Sequence, residues 1–292
     1  MAEFKEVIGV PGLSPTLQDI FSTQEKRNKS FIFDSLEKVS KMRVTTMQEI
    51  EVCPARWKNS LGKPRYKEVE SGKKDYAMIG TLCHLYVENH ISEKFNGIPT
   101  IEKGVIVEVL ELLFSETPDE LQNLTTYATR LCKHFFGWKL VATEMEVKIP
   151  ANIPIPVYGQ VDAIFQNPVT GEYAIVDHKT NRRPDRQAEW EKKLQILSYQ
   201  SAVCAKFGII GCYFFLGKVN LKEDYFFWKK DPFREVSRRY NDIYQTIMTG
   251  ASNEQLNPEC RYCQVRATCH RRLESQELLQ LRPWMRSKNV SS

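Results

Sequence analysis

Gly159-Gln160-Val161-Asp162-Ala163-Ile164-Phe165, then Asn167-Pro168-Val169-Thr170-Gly171, then Ala174-Ile175-Val176-Asp177-His178-Lys179-Thr180 is the stretch that decides the fold. Two apolar segments each carry one aspartate, and the connection between them is built from turn-forming residues, so the three pieces read as a β-hairpin. In an antiparallel hairpin a turn centred between Val169 and Thr170 places Asp162 opposite Asp177; a turn displaced by one residue shifts that register by one. Two like charges facing each other across strands are disfavoured unless a proton or a cation lies between them.

A divalent metal ion resolves that conflict. Side chains alternate along a strand, so Asp177 and Lys179 share a face and His178 points away, leaving the His178 backbone carbonyl as a further oxygen ligand. Oxygen ligands of this kind suit magnesium or manganese. Such an ion acidifies water and stabilises charge on a phosphate, and Lys179 can position that water or neutralise the phosphate. The expected chemistry is phosphodiester hydrolysis.

Outward from the hairpin, a helix is expected at about 188–207, strands at Ile209–Leu216 and Tyr225–Trp228, and a helix at about 232–249. Upstream, Lys139–Ile149 alternates as a strand. Helical periodicity covers 45–59, 80–90, 104–114 and 118–136, the last opening with Thr117-Pro118-Asp119-Glu120, a cap followed by a proline suited to the first turn. Residues 1–40 are polar and turn-rich and carry no motif. The chain therefore reads as an α/β protein with an N-terminal extension (1–44), a helical region (45–136), a core (137–250) and a C-terminal cysteine-rich, basic segment (251–292).

Two further constellations bear on chemistry. Gly80-Thr81-Leu82-Cys83-His84 places a histidine on a helix that carries Glu88 one turn later. Gln195 and Tyr199 are four apart and project from one face of the helix after the hairpin. In this order, the Gly-x-x-x-His helix, the Gly-x-Val-Asp strand, the Val-Asp-x-Lys-Thr strand and the Gln-x-x-x-Tyr helix resemble the RecB-type branch of the PD-(D/E)XK nuclease superfamily over roughly residues 45–270. The resemblance implies a restriction-endonuclease-like mixed central sheet flanked by helices. It implies His84, Asp162, Asp177 and the His178 carbonyl as metal ligands, Lys179 as the catalytic lysine, and Gln195 and Tyr199 as contacts to DNA near the scissile phosphate. Family members also carry a glutamate on the strand before the first aspartate, here Glu144 or Glu146, with Glu144 favoured. His178 departs from the apolar or aromatic residue more usual at its position.

Near the C-terminus Cys260-Arg261-Tyr262-Cys263 and Cys269 give the spacing C-x2-C-x5-C, and Cys53-Pro54 lies far upstream. Three clustered thiols need a fourth ligand, Cys53 or His270, and the chemistry fits either zinc or an iron–sulfur cluster. CRISPR-associated RecB-like exonucleases and AddB-type nuclease domains, which this chain resembles, have one cysteine before the nuclease core and three after it. That resemblance implies a 4Fe-4S cluster on Cys53, Cys260, Cys263 and Cys269 that fastens the ends of the chain together. Cys83, Cys132, Cys204 and Cys212 lie in apolar segments and read as core residues.

Composition excludes little but agrees. With 292 residues and 42% hydrophobic content the chain buries a full core, and a net charge of +5 permits nucleic-acid binding without requiring it. The N-terminal Met-Ala-Glu-Phe-Lys-Glu lacks a signal sequence and no apolar run is long enough to span a bilayer, so a cytoplasmic protein without a membrane partner is expected. No G-x-x-x-x-G-K-[ST] motif is present. Strand separation must then come from a helicase or a recombination or CRISPR partner, and the expected substrate is single-stranded DNA or frayed DNA ends, degraded exonucleolytically. The alternatives are a catalytically silent DNA-binding or assembly subunit and a zinc-stabilised DNA-binding protein.

Overall fold

Asn167 builds the turn of the hairpin, its Oδ1 accepting the backbone N–H of Val169 at 2.9 Å and of Thr170 at 3.2 Å. Gly171 follows at φ 75°, a left-handed conformation that glycine adopts without a steric penalty. The resulting register pairs Ala163 with Val176 and Ile164 with Ile175, as the turn chemistry requires.

The computed structural model describes residues 17–22, 40–59, 75–180, 187–219 and 224–249. After a short helical segment at 17–22 come β1 (Met42–Arg43), α1 (Val44–Val52), α2 (Pro54–Asn59), α3 (Tyr76–Asn96), α4 (Lys103–Glu116) and α5 (Pro118–His134). Then follow β2 (Lys139–Lys148), β3 (Val157–Gln166), β4 (Tyr173–Lys179), α6 (Gln187–Trp190), α7 (Leu194–Phe207), β5 (Gly211–Lys218), β6 (Asp224–Lys230) and α8 (Phe233–Met248). The expected strands all form, with ends shifted by a few residues.

The helices differ from the sequence reading where caps and prolines act. The helix expected over 80–90 runs over Tyr76–Asn96, because Asp75 Oδ1 accepts the N–H groups of Ala77 and Met78 at one end and Gly97, at φ 70°, closes the other. The single helix expected over 45–59 is broken at Cys53, which is extended (φ −161°, ψ 97°), since a residue before proline is pushed out of the helical region. The helix expected over 188–207 is split at Lys193, also extended. β1 was not anticipated; at two residues it carries no alternation to read.

The strands form one mixed sheet, α/β with helices on both faces, as the restriction-endonuclease-like expectation requires. β2, β3 and β4 are antiparallel, β5 runs parallel to β4 after the α6–α7 crossover, and β6 is antiparallel to β5. β3 is crowded: β2 pairs with residues 158–166, β4 with 163–166 and β1 with 157–158. Between β4 and β1 the stretch 159–162 is left open, and Asp162 lies in it.

On one face α1, α7 and α8 bury Met47, Ile50, Leu197, Val203 and Tyr240 against Ile164, Ile175 and Phe214. On the other, α3, α4 and α5 bury Leu82, Val87, Leu131 and Phe135 against Phe165, Val176 and Phe215. The helical region of 45–136 thus contributes to both faces. Cys83, Cys132, Cys204 and Cys212 are buried, and burial raises the Cys132 thiol to about 11. Among the described residues no helix is long and apolar enough to cross a membrane.

Candidate active site

Asp162 occupies the point at which β3 parts from β4 and at which its ladder to β2 skips one pair. The ladder to β4 ends at the pair Ala163–Val176, and the ladder to β2 includes Thr143–Ala163 and Met145–Val161 but skips the pair between them, Glu144 and Asp162. Continuing both registers by one step sets Glu144 on one side of Asp162 and Asp177 on the other. Three carboxylates therefore lie abreast where the strands fork.

Glu144 is held at φ 46°, the one non-glycine residue at positive φ among those described. Such backbone costs roughly 1–3 kcal/mol and gathers at functional sites. Gln160 Nε2 donates to Glu144 Oε2 at 2.5 Å, which fixes the carboxylate. His84 enters from α3, its Nδ1 3.7 Å from Glu144 Oε1 and 3.6 Å from Asp162 Oδ1. One donor atom from each of His84, Glu144 and Asp162 lies within 4.8 Å of the others.

Asp177 stands outside that close group. Its buried Oδ2 forms an ion pair with Lys179, 2.6 Å from Nζ. The His178 backbone N–H donates to Asp162 Oδ2 at 2.6 Å, tying the two strands across the fork. The His178 ring points to the opposite face, where its Nδ1 lies 2.5 Å from Tyr127 Oη.

The charges of these groups follow from burial and from one another. Burial lowers the pKa of His84, but the charges of Asp162 and Glu144 outweigh it and raise the imidazole to about 9. Burial raises Asp162 to about 7, with Asp177 and Glu144 adding to the effect and His84 opposing it. For Lys179 burial favours the neutral amine, yet Asp177 and Asp162 more than offset it, so the side chain is a firm ammonium. Burial holds His178 well below its usual range and Tyr127 well above, so they meet as a neutral imidazole and a neutral phenol.

Gln195 and Tyr199 lie on α7, with Gln195 Nε2 donating to Tyr199 Oη at 3.2 Å. The backbone N–H of Gln195 donates to Gln48 Oε1 on α1 at 3.1 Å. The Tyr199 ring lies over Gly159, where a Cβ would come within 2.4 Å of Tyr199 Cε1. Glu146, the alternative to Glu144, is exposed; it lines a cleft with Arg43, Tyr158 and Tyr199 and is not part of the His84 group. Cys53 is half-buried with a free thiol, and Cys260, Cys263, Cys269 and His270 lie outside the described residues. Two contributors went unread in the sequence. Gln160 had a usable signal, since it lies two residues before Asp162 on the same strand face; Tyr127, one tyrosine on a helix, had none.

The donor set fits a hard divalent cation: two carboxylate oxygens and one imidazole nitrogen converge, with the buried Asp177 carboxylate, ion-paired to Lys179, on the adjoining strand. A family model for the PD-(D/E)XK nuclease superfamily matches residues 42–270. The chain belongs to the PD-(D/E)XK nuclease superfamily. Nucleases of this superfamily use divalent metal ions, and DNA is the substrate class that goes with the fold. No curated protein matches the chain. Among solved structures it is similar to the crystal structure of SSO0001, at 14% identity and a TM-score of 0.44, over 88% of this chain and 97% of that one.

Proposed function

We propose that this PD-(D/E)XK nuclease is a RecB-type DNA exonuclease that acts on single-stranded DNA or frayed ends. The observation that carries the reading is the meeting of His84, Glu144 and Asp162 beside an Asp177–Lys179 pair on one open stretch of β3 and the adjoining end of β4. His84, Glu144, Asp162 and Asp177, with the His178 carbonyl, are the groups to hold a magnesium or manganese ion. That ion, when bound, supplies positive charge for the phosphate and acidifies a water molecule.

The protein's own groups do the rest. Lys179 is a firm ammonium, which suits it to hold a phosphate oxygen and disqualifies it as a proton acceptor at neutral pH. Asp177 keeps that ammonium in place. Gln195 and Tyr199 present an amide and a phenol on the helix above Gly159 and position the DNA backbone. Cys53, Cys260, Cys263 and Cys269 are the proposed ligands of a 4Fe-4S cluster. What supports this is the split arrangement of one cysteine before the core and three after it. Such thiols must stay reduced, which fits a cytoplasmic setting.

The test uses end-labelled single-stranded and duplex DNA with blocked 5′ or 3′ ends, in magnesium or manganese, with wild type and Lys179→Ala. Progressive shortening from free ends of single strands by wild type alone is expected. Equal background cleavage by both proteins ends the enzyme reading, and internal cuts end the exonuclease reading. Iron and sulfide analysis after anaerobic purification tests the cluster; zinc without iron refutes it.

A further inference from the structure

β4 carries His178 between Asp177 and Lys179, so the backbone conformation of this one residue bears on where its two neighbours point. Its N–H is committed to Asp162 Oδ2. Its ring, on the side of the sheet covered by α3 and α5, has a single described hydrogen-bond partner, Tyr127, and stands edge-on to the His84 ring with centroids 5.7 Å apart. The contact exists because of a glycine. In the parallel register His178 neighbours Gly217 on β5, and a Cβ at Gly217 would lie 2.0 Å from Tyr127 Oη. The tyrosine hydroxyl thus occupies the space where a side chain of β5 would otherwise stand. Tyr127 is itself braced: Arg130, one turn later on α5, lies with its guanidinium 5.4 Å from the centre of the Tyr127 ring and donates to both oxygens of Asp224, at 2.5 and 2.9 Å.

We infer that Tyr127 is a positioning residue for the metal site: seated in the gap left by Gly217, it anchors the His178 ring and thereby fixes the residue whose N–H bonds Asp162 and whose carbonyl is a candidate ligand. The inference rests on the metal-dependent nuclease reading. Tyr127 touches no reacting atom; it acts through His178. Groups that orient the ligands of a metal typically change its affinity by roughly 10–100-fold when removed.

The experiment compares wild type, Tyr127→Phe, Gly217→Ala and a control, Tyr240→Phe, in full-length protein. Tyr240 is equally buried and loses a comparable hydroxyl contact, to Ser198 at 2.9 Å, in the core between α7 and α8. Two quantities are read: hydrogen exchange of the His178 amide without metal, and the dissociation constant for manganese alone. Tyr127→Phe is expected to speed His178 exchange and weaken manganese binding on the order of 10-fold or more, and Gly217→Ala, which keeps the hydroxyl but displaces it, to do the same. Tyr240→Phe is expected to change neither. The inference is overturned if either quantity in Tyr127→Phe stays with the Tyr240→Phe control. Failure of the underlying reading looks different: wild type itself then shows no manganese site that Asp162→Asn removes.

Discussion

His84 Nδ1 and Asp162 Oδ1 lie 3.6 Å apart, an ion pair whose two members are, in the function proposed above, ligands of one ion. The ion-paired and metal-bound states differ by protons, since a metal takes the neutral imidazole and the ionised carboxylate.

The first prediction is a pH dependence with a definite sign. His84 titrates at about 9 in the folded protein against 6.5 in its ordinary state, so its contribution to stability is complete below 6.5 and lost as pH rises through 9. Asp162 is also raised, from 3.8 to about 7, so the folded state again binds the extra proton and stability again falls with rising pH. Metal-free protein should therefore lose stability as pH rises, from about 3.8 to 7 through Asp162 and from about 6.5 to 9 through His84, while manganese affinity rises with pH up to about 9. Melting curves at several pH values, with and without manganese, read both trends. A manganese-induced shift that is constant with pH contradicts the assignment of His84 as a ligand.

The second prediction separates binding from chemistry at Lys179. Its ammonium is paired with Asp177 and is not one of the three groups, His84, Glu144 and Asp162, whose donor atoms converge. Lys179→Ala should lower kcat by roughly 10²–10³-fold, with manganese affinity little changed. Asp162→Asn should abolish manganese binding itself. Calorimetric titration of both variants decides; loss of metal binding in Lys179→Ala would show the lysine to be structural.

Gly159 supplies the third. A Cβ there meets Tyr199 Cε1 at 2.4 Å and Val44 Cγ2 at 3.1 Å, two buried side chains beside this half-buried glycine. Gly159→Ala should cost roughly 1–3 kcal/mol and reduce DNA cleavage by displacing Tyr199 from Gln195. The cause is separable, because removing the ring makes room: in a Tyr199→Ala background the added methyl group should cost much less. An equal penalty in both backgrounds would place the strain elsewhere.

These residues also mark how far the sequence could be read. Asp162, Asp177 and Lys179 were legible because alternation and one turn dictate their relation, and Asn167 with Gly171 does set that register. The choice of Glu144 over Glu146 was legible only weakly, since it turns on a skipped ladder pair and a backbone at φ 46°, neither of which residue types encode. The separation of Asp177 from the His84 group was not legible, because it depends on a lysine two residues away folding back onto it. Tyr127 reaches His178 across 51 residues through the empty position of Gly217, a tertiary relation with no local period.

The last prediction concerns what holds the two ends of the described core together. Arg239 on α8 spans Glu51 on α1, with Nε and Nη2 each 2.5 Å from one carboxylate oxygen, and its Nη1 donates to the Lys192 carbonyl at 2.8 Å. One guanidinium thus joins α8, α1 and the turn before α7, and α1 ends one residue after Glu51, at Val52, just before Cys53-Pro54. Both side chains are largely shielded, so the pair is screened less than a surface contact. Arg239→Ala should lower stability by about 1.5–3 kcal/mol. Arg239→Lys should recover little, because an ammonium cannot bridge both carboxylate oxygens and a carbonyl at once. Manganese affinity should be unchanged in both, since Arg239 lies outside the His84 group. Urea denaturation read alongside manganese titration tests all three expectations; full stability in Arg239→Lys would mean that charge alone, and not the fork geometry, carries the contact.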